Sequence, residues 1–219
     1  MSDVAPYFRY PRADVVALVP AWCQRVLDVG CAAGVVGATL KRRQGCAVTG
    51  IERDPVAASA ARAVLDEVLE LDLETPDVDW GARLGRERFD CLVYADVLEH
   101  LREPAALLEA QRGLLRPGGV AIVSVPNVRH YPVVLGLLRG EWRYQDEGVL
   151  DRTHLRFFTR RSLLTLLAES GYRAAEIHGE IHASRAARWI GGLSLGRARD
   201  FLTRQFLVLC TRAEDASRP

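Results

Sequence analysis

The chain of 219 residues is 49% hydrophobic, which suits one globular domain with a full core. Its 29 basic side chains are nearly balanced by 28 acidic ones, which argues against a general nucleic-acid binder. The longest apolar runs fall far short of the roughly 20 residues that a membrane helix needs, so stable membrane insertion is not expected.

Short apolar runs alternate with helical patterns along most of the chain, which is typical of βαβ units. Asp54 and Thr159 are predicted to cap helices, and Gly45 and Gly171 to end them. Strands are predicted at 25–30, 46–52, 67–73, 89–96, 120–126, 173–181 and 205–212. Helices are predicted at 35–43, 55–65, 104–115 and 159–172. The pattern predicts a single α/β domain over 1–219 with a Rossmann-like, doubly wound, mostly parallel sheet.

The alternation breaks at residues 127–158, which hold prolines, aromatic residues and many charges. No long regular element is predicted there, and a stretch of this kind in a compact domain is often a functional lid. We therefore expect a substrate-binding insertion after the fifth strand. Residues 183–200, rich in arginine, are expected to connect the last two strands, either as a solvated connector, a homodimer surface or a lip over a pocket.

The stretch "VLDVGCAAG" at 26–34 ends a predicted strand in an acid and a small-residue turn. Glycine permits close approach of a ligand to the backbone, and free amides at a helix start favour a polar ligand group. The glycines, Gly30 and Gly34, are spaced GxxxG rather than GxGxxG, which argues against a dinucleotide. Asp28, two residues before the first glycine, favours a ligand with a positive charge.

Two further acids end the next two predicted strands. Glu52 is placed to accept hydrogen bonds from a ribose diol, and Asp72 from an adenine amino group. Because ligands of open α/β sheets bind at the carboxyl ends of the strands, the three acids indicate one crevice.

The ordered segments "VLDVGCAAG", "GIERDP", "LDL", "FDCLVYADVLEHL" and "LLRPGG" resemble those of class I S-adenosylmethionine-dependent methyltransferases. The resemblance covers about residues 25–125 and implies a seven-stranded sheet whose last strand is antiparallel, with S-adenosyl-L-methionine as cofactor. It implies these cofactor-binding residues: Arg12, Asp28, Gly30, Cys31, Ala32, Gly34, Glu52, Arg53, Asp72, Leu73, Ala95 and Asp96.

This chain departs mildly from the family pattern at two of those positions. Ala32 replaces a frequent glycine, and we expect its backbone to hold a negative φ. Arg53 stands where an apolar residue often lies beside the adenine, and its guanidinium can stack on a ring. Arg12 is expected to pair with the methionine carboxylate, a surface role being the alternative.

Two segments suggest the type of methyltransferase. "DVLEHL" at 96–101 resembles a signature of ubiquinone-type small-molecule O-methyltransferases. "DEGVLDRTHLRFFT" at 146–159 resembles methyltransferases of bacterial polysaccharide and glycan clusters. The resemblance implies O-methylation of a sugar, a glycan or a related small metabolite.

The insertion also supplies the candidates for catalysis and substrate binding. His154 is the favoured base for a hydroxyl proton, with His130 and His100 as alternatives, and each histidine could instead be structural. Aromatic faces and arginines suit a sugar ring that carries an anionic group. The predicted substrate-binding residues are Asn127, Trp142, Tyr144, Arg152, Arg156 and Phe157.

Other functions stay open at this point. The same fold could methylate nitrogen or carbon, or could bind the cofactor without catalysis. A metal-dependent mechanism is not expected, since no paired Asp/Asn cluster stands out beyond Asp96 and Asn127. Five scattered cysteines without a CxxC motif disfavour disulfides and structural zinc, and together with the absence of a signal-peptide pattern they predict a cytoplasmic protein. The small-molecule or glycan acceptor is what the resemblance implies.

Overall fold

The computed structural model describes residues 11–86, 88–181 and 199–213. Seven strands form one sheet in the order β3-β2-β1-β4-β5-β7-β6. The strands are β1 Arg25–Val29, β2 Ala47–Glu52, β3 Glu67–Glu70, β4 Phe89–Ala95, β5 Leu115–Pro126, β6 Tyr172–Ile181 and β7 Thr203–Arg212. The first five strands pair in parallel, and β7 runs antiparallel between β5 and β6. The predicted fold class is confirmed, including the antiparallel last strand.

Alternate residues of the central strands pack against opposite layers, so the sheet is covered on both faces. Leu27 and Tyr94 belong to one hydrophobic core, whereas Val26 and Val93 belong to the other. A strand buried on both faces reads as a continuous apolar run, as in "CLVYA" at 91–95 of β4. The helices are α1 Ala13–Leu18, α2 Val35–Gln44, α3 Pro55–Arg62, α4 Trp80–Leu84, α5 Pro104–Arg112, α6 Tyr131–Leu138 and α7 Arg160–Glu169.

The predicted helix ends are in place. The Asp54 carboxylate accepts hydrogen bonds from the Val56 and Ala57 amides at 3.0 and 2.8 Å. Thr159 caps α7 and forms a capping box with Ser162. Gly45, at φ 70°, is the C-cap of α2. These caps define where α3 and α7 begin and where α2 ends, and the cap at Asp54 places the start of α3 directly after β2, at the carboxyl edge of the sheet.

The insertion is more regular than its sequence predicts. Helix α6 occupies eight residues of the segment 127–158, for which no long regular element was predicted. Its sequence, YPVVLGLL, is apolar nearly throughout and lacks the alternation of apolar and polar faces by which an amphipathic helix is recognised. Helix α4 was also not predicted, since Asp79 caps only five helical residues.

The connector predicted at 183–200 lies outside the described residues up to 198. Residues Arg199–Leu202 form a single helical turn that leads directly into β7. In the described part of the chain, no helix is long and apolar enough to cross a membrane.

Candidate functional site

A cleft of about 1060 Å³ lies at the carboxyl ends of the parallel strands. Its size is at the upper end of the range for ligand sites, and it is large enough for a nucleoside ligand together with a second molecule. The predicted cofactor residues that line it are Arg12, Asp28, Gly30, Cys31, Ala32, Glu52, Arg53, Asp72, Leu73, Ala95 and Asp96. Gly34 is the one predicted cofactor residue that is not part of the wall.

The turn after β1 has three residues with positive φ. Gly30, Ala32 and Gly34 have φ of 69°, 49° and 78°. The expectation of a negative φ at Ala32 was therefore wrong. The Ala32 amide donates to Glu52 Oε2 at 2.9 Å, and this hydrogen bond to a buried carboxylate holds the left-handed backbone that an alanine disfavours.

Replacement of Ala32 by glycine tests whether its left-handed backbone is strained. The left-handed conformation costs an L-residue roughly 1–2 kcal/mol, while glycine adds about 0.5–1 kcal/mol of chain entropy to the unfolded state. We expect Ala32→Gly to leave the free energy of unfolding unchanged or to raise it by about 1 kcal/mol, measured by urea denaturation. The same substitution at Ala38, inside α2, is the matched control and should lower it by about 1 kcal/mol. Equal losses in both variants would contradict the strain at Ala32.

Gly34 serves packing rather than the cleft wall. A Cβ added there would lie 2.9 Å from Val64 Cγ2 and 3.2 Å from Ala61 Cα. The residue is also the N-cap of α2 with a left-handed backbone. A side chain at 34 would therefore separate α2 from α3 and disturb the turn that the two helices support.

Glu52 is the centre of the cleft's hydrogen bonding at the turn. Its side chain is buried, and Oε1 accepts a hydrogen bond from the Asp54 amide at 2.8 Å while Oε2 accepts the one from Ala32. Each carboxylate oxygen has a second lone pair, so the group can accept further hydrogen bonds from ligand hydroxyls. The Glu52 carboxylate thus connects the turn after β1 to the turn after β2, and it lines the cleft between these turns.

Asp28 is buried beside the turn, and its Oδ2 has no hydrogen-bond partner among the described residues. Burial raises the pKa of this carboxyl to about 7, and the charge of Glu52 raises it further, while a hydrogen bond from the Gly37 amide opposes the rise. A buried acid in a ligand cleft, with one carboxyl oxygen that has no partner among the described residues, is suited to a ligand with a positive charge or a strong donor.

The raised pKa of Asp28 predicts how stability depends on pH. The unfolded carboxyl ionises near pH 4 and the folded one near pH 7, so its contribution is fully present below pH 4 and is lost as the pH rises to 7. Asp28→Asn removes that loss. We expect the stability of the variant relative to the parent, without ligand, to rise from pH 5 to pH 8 by at most about 3 kcal/mol. Paired melting curves across this range measure it, and a constant difference would contradict the shift.

Arg12 joins a polar cluster at the other side of the cleft. Its guanidinium pairs with the carboxylates of Asp14 and Asp96 and donates to Ser124 Oγ at 2.7 Å. Gln205 from β7 donates to Asp96 and, at 2.7 Å, to Ser124 Oγ. Arg12 lines the cleft but is already paired, so a ligand carboxylate would have to share its guanidinium with these acids.

Arg53 and Asp72 form the outer rim of the cleft. Their side chains are 72% and 48% exposed, and Arg53 Nη1 lies 3.7 Å from Asp72 Oδ2. At that distance and exposure the ion pair contributes little stability, so both side chains can turn toward a ligand. Leu71 and Leu73 supply the apolar wall between them.

The histidines divide into two groups. His100 and His154 line the cleft with ring centroids 4.9 Å apart, and buried Glu99 lies beside them. Burial raises the pKa of the Glu99 carboxyl well above its usual range, and the charge of Asp96 adds to this. Burial lowers the pKa of His100, as does His154. His130 is also buried but does not belong to the cleft wall, and its ring packs against Tyr131.

The structure does not bring the predicted substrate residues to the cleft wall. Asn127 is fully buried; its Nδ2 donates to the carbonyls of Asp200 and Thr203, and its Oδ1 accepts from the Arg129 amide. This amide therefore ties the insertion to the start of β7. Because the Asn127 side chain already forms hydrogen bonds with three backbone groups, it stabilises the fold and is not available to a substrate.

The remaining predicted substrate residues lie on the insertion outside the cleft wall. Trp142 packs edge-on against Phe157 with ring centroids 5.2 Å apart, and Tyr144 is half exposed. Arg152 pairs with Asp146 at 2.6 Å, and Arg156 pairs with Glu103 at 3.2 Å and donates to the Arg102 carbonyl. Both arginines thus have acidic partners that an anionic substrate would have to displace.

Glu99 and Gln205 are among the cleft residues that the sequence did not lead us to predict. Glu99 stood in the quoted "DVLEHL" segment at helical spacing from Asp96, so its signal was present and was not used. Gln205 had no signal, because the antiparallel insertion of β7 beside β5 is what places it against Ser124.

Comparison with known proteins gives a consistent result. The methyltransferase domain family matches residues 5–177. The ubiquinone biosynthesis O-methyltransferase of Cereibacter sphaeroides is 28% identical over 179 residues, which are 80% of this chain and 71% of that protein. The fold is similar to that of a SAM-dependent methyltransferase from Archaeoglobus fulgidus, with a TM-score of 0.66, 18% identity and coverage of 93% and 96% of the two chains. A Mesorhizobium loti methyltransferase structure gives a TM-score of 0.62 at 16% identity, over 91% and 96% of the chains.

Proposed function

The chain belongs to the methyltransferase domain family, among the class I S-adenosylmethionine-dependent enzymes, and from this premise we propose that it O-methylates a small hydroxylated molecule. The observation that supports it most directly is the joint presence, in one cleft, of the acidic turn residues and the pair of histidines. The acidic turn residues suit the cofactor, and the histidines suit the removal of a proton from a hydroxyl.

The residues at the turn fit S-adenosyl-L-methionine, which supplies an activated methyl group on a sulfonium when bound. Asp28 offers a buried carboxyl whose Oδ2 has no partner among the described residues, suited to the positive end of this ligand. Glu52 has lone pairs for the ribose hydroxyls, and Asp72 with Leu73 stands where the adenine would lie. Arg53, largely exposed, can cover the adenine ring.

The second half of the reaction concerns the acceptor oxygen. Methyl transfer forms an oxygen–carbon bond and breaks a sulfur–carbon bond, and the hydroxyl proton must leave. Nδ1 of His154 is 3.2 Å from the Val149 carbonyl, so Nδ1 carries the proton that it donates. Nε2 is then the basic nitrogen, and we assign it the role of proton acceptor. His100 stands behind it as the second candidate.

The substrate class that we propose is a sugar, a glycan or a related small metabolite. The insertion after β5 offers the Trp142–Phe157 pair, half-exposed aromatic surface of the type that contacts a sugar ring. The relative from Cereibacter sphaeroides is named for O-methylation in ubiquinone biosynthesis, which supports a hydroxyl acceptor but a different class of molecule.

Two measurements on the full chain test the proposal. Calorimetry with S-adenosyl-L-methionine and with the demethylated product should show one site per chain. The enzyme with labelled cofactor is then offered two acceptor panels, sugar nucleotides with free glycosides and simple catechols with quinols. Mass spectrometry should find a methyl group on a hydroxyl of the first panel.

Several results would contradict parts of the proposal. Absence of cofactor binding would contradict the whole of it. Methylation of amines or carbon acids, but not of hydroxyls, would move the chain to the N- or C-methyltransferases. Tight cofactor binding without transfer to any acceptor in an extended panel would favour a non-catalytic binding domain.

A further inference from the structure

The wall of the cleft contains three arginines, and two of them have acidic partners. Arg12 pairs with two carboxylates, and Arg53 forms its 3.7 Å ion pair with Asp72. The third, Arg204, is partly buried, and its guanidinium forms no hydrogen bond or ion pair with any residue that the structure describes. A guanidinium stays charged and carries five N–H donors, so that of Arg204 is available to an anionic ligand group.

The backbone of Arg204 is fixed where β5 and β7 meet. The Asn127 amide donates to the Arg204 carbonyl at 2.9 Å, and Asn127 Nδ2 donates to the Thr203 carbonyl at 2.7 Å. On the other side, the Gln205 side chain donates to Ser124 Oγ at 2.7 Å. Because both neighbours are anchored, the arginine side chain extends from a rigid part of the cleft wall, as the precise binding of a ligand group requires.

Space for a ligand group lies beside the guanidinium because residue 148 is a glycine. A Cβ added to Gly148 would lie 3.7 Å from Arg204 Nη2 and 3.8 Å from Gln145 Oε1. Gly148 has a φ of 93°, a backbone conformation that residues with a side chain rarely adopt. A longer side chain at this position would occupy the space next to Nη2, so the glycine keeps the guanidinium accessible from the cleft.

The same loop holds the proposed proton acceptor. Val149 follows Gly148, and its carbonyl is bonded to Nδ1 of His154 at 3.2 Å. These three residues line the cleft together with Arg204. In the sheet, β4 and β5 separate β7 from β1, which is about 14 Å at the usual spacing of strands. A group bound to Arg204 would therefore lie on the acceptor side of the cleft, away from the turn that suits the cofactor.

The acids of the cleft increase the importance of this arginine for an anion. Asp96, Glu147 and Asp151 line the same cleft, and carboxylates repel a ligand with negative charge. Glu147, next to Gly148, is exposed and forms no ion pair with Arg204 in the described structure. An anionic acceptor therefore needs the guanidinium of Arg204 to offset this repulsion.

We propose that Arg204 binds a carboxylate or phosphate group of the acceptor, and that the enzyme selects acidic or phosphorylated hydroxyl compounds. The inference rests on the proposed function and narrows its substrate class to molecules such as uronic acids and sugar phosphates. Arginine suits both groups because its planar fork can donate two parallel hydrogen bonds to either. The residue types had suggested Arg152 and Arg156 for this role, but both have acidic partners on the insertion.

The test measures the binding of two pairs of probes to the full chain in the presence of excess S-adenosyl-L-homocysteine. Each pair combines an anionic probe with a neutral one: methyl glucuronide with methyl glucoside, and glucose 6-phosphate with glucose. By calorimetry, the anionic member of at least one pair should bind at least about 10-fold more tightly than its neutral counterpart. The pair that shows the preference distinguishes a carboxylate from a phosphate as the group that is bound.

Variants at position 204 assign this preference to the arginine. Arg204→Gln should abolish it and leave the binding of the neutral probes unchanged, while Arg204→Lys, which restores the charge, should retain part of it. The matched control is Arg173→Gln, at an exposed position on β6 outside the cleft, which should bind all four probes like the parent. Far-UV circular dichroism verifies that each variant is folded.

Two results would overturn the proposal. One is the absence of any preference for the anionic probes in the parent, and the other is an unchanged preference in Arg204→Gln. If Arg204→Gln instead loses affinity for S-adenosyl-L-methionine and keeps the parent's binding of the probes, the guanidinium binds the cofactor carboxylate, and the proposal is also overturned.

Cofactor calorimetry on the parent separates this inference from the proposed function. Binding of S-adenosyl-L-methionine without a preference for anionic probes would overturn the role of Arg204 and leave the methyltransferase proposal in place. A preference that Arg204→Gln abolishes, in a chain that does not bind the cofactor, would support the anion site and contradict the proposed function.

Discussion

Glu52→Gln is expected to weaken the binding of S-adenosyl-L-methionine by about 100-fold, which corresponds to about 2.7 kcal/mol. The carboxylate accepts the amide of Ala32 on one oxygen and that of Asp54 on the other. A glutamine has only one acceptor oxygen, so its NH₂ group would face one of these N–H donors. The turn loses a charge-assisted hydrogen bond, and the ribose loses an acceptor.

Glu67→Gln is the control for that measurement. Glu67 begins β3, the strand beside β2, but lies at its amino end and pairs with Arg88 at 2.9 Å outside the cleft. Calorimetry should give the parent affinity for this variant. If Glu52→Gln also binds S-adenosyl-L-methionine with the affinity of the parent, then other residues bind the ribose and Glu52 has only a structural role.

The position of the three strand-end acids in the cleft, on the side that we assign to the cofactor, could be predicted because the rule that places them is local. An acid or a glycine at the end of a parallel strand reaches the carboxyl edge wherever the strand lies in the sheet. Asp28, Glu52 and Asp72 follow this rule, and all three line the cleft. The backbone of Ala32 did not follow from the residue type, because the hydrogen bond that holds its positive φ comes from a side chain twenty residues away.

The acceptor half could not be predicted in the same way. Which side of an insertion faces the cleft depends on how the loop packs, and the loop packs through contacts such as those between the Glu99 carbonyl and the amides of Leu155 and Arg156. The residue types suggested that Asn127 meets the substrate, whereas its amide is used by backbone groups near β7. His154 was chosen correctly as a cleft residue, but its neighbour Glu99 was not recognised.

His154→Ala is expected to lower kcat for methyl transfer by 100-fold or more, while the dissociation constant of S-adenosyl-L-methionine stays within about 2-fold. Removal of a positioned base costs roughly 10²–10⁴ in rate, and it affects only the step that involves the acceptor. His154 lies on the insertion and makes its ring contacts with His100 and Phe157, away from the turn that follows β1. The measurement is steady-state turnover with the identified acceptor, beside calorimetry with the cofactor.

The pH dependence of the variant tests whether the missing group is a base. A variant that lacks a base regains turnover as the pH rises, because hydroxide replaces the missing group. We therefore expect the turnover of His154→Ala to recover from pH 7 to pH 9. His178, which pairs with Glu176 on the surface of β6 outside the cleft, provides the control variant His178→Ala. Full activity of His154→Ala under standard conditions, equal to that of this control, would exclude the role of base.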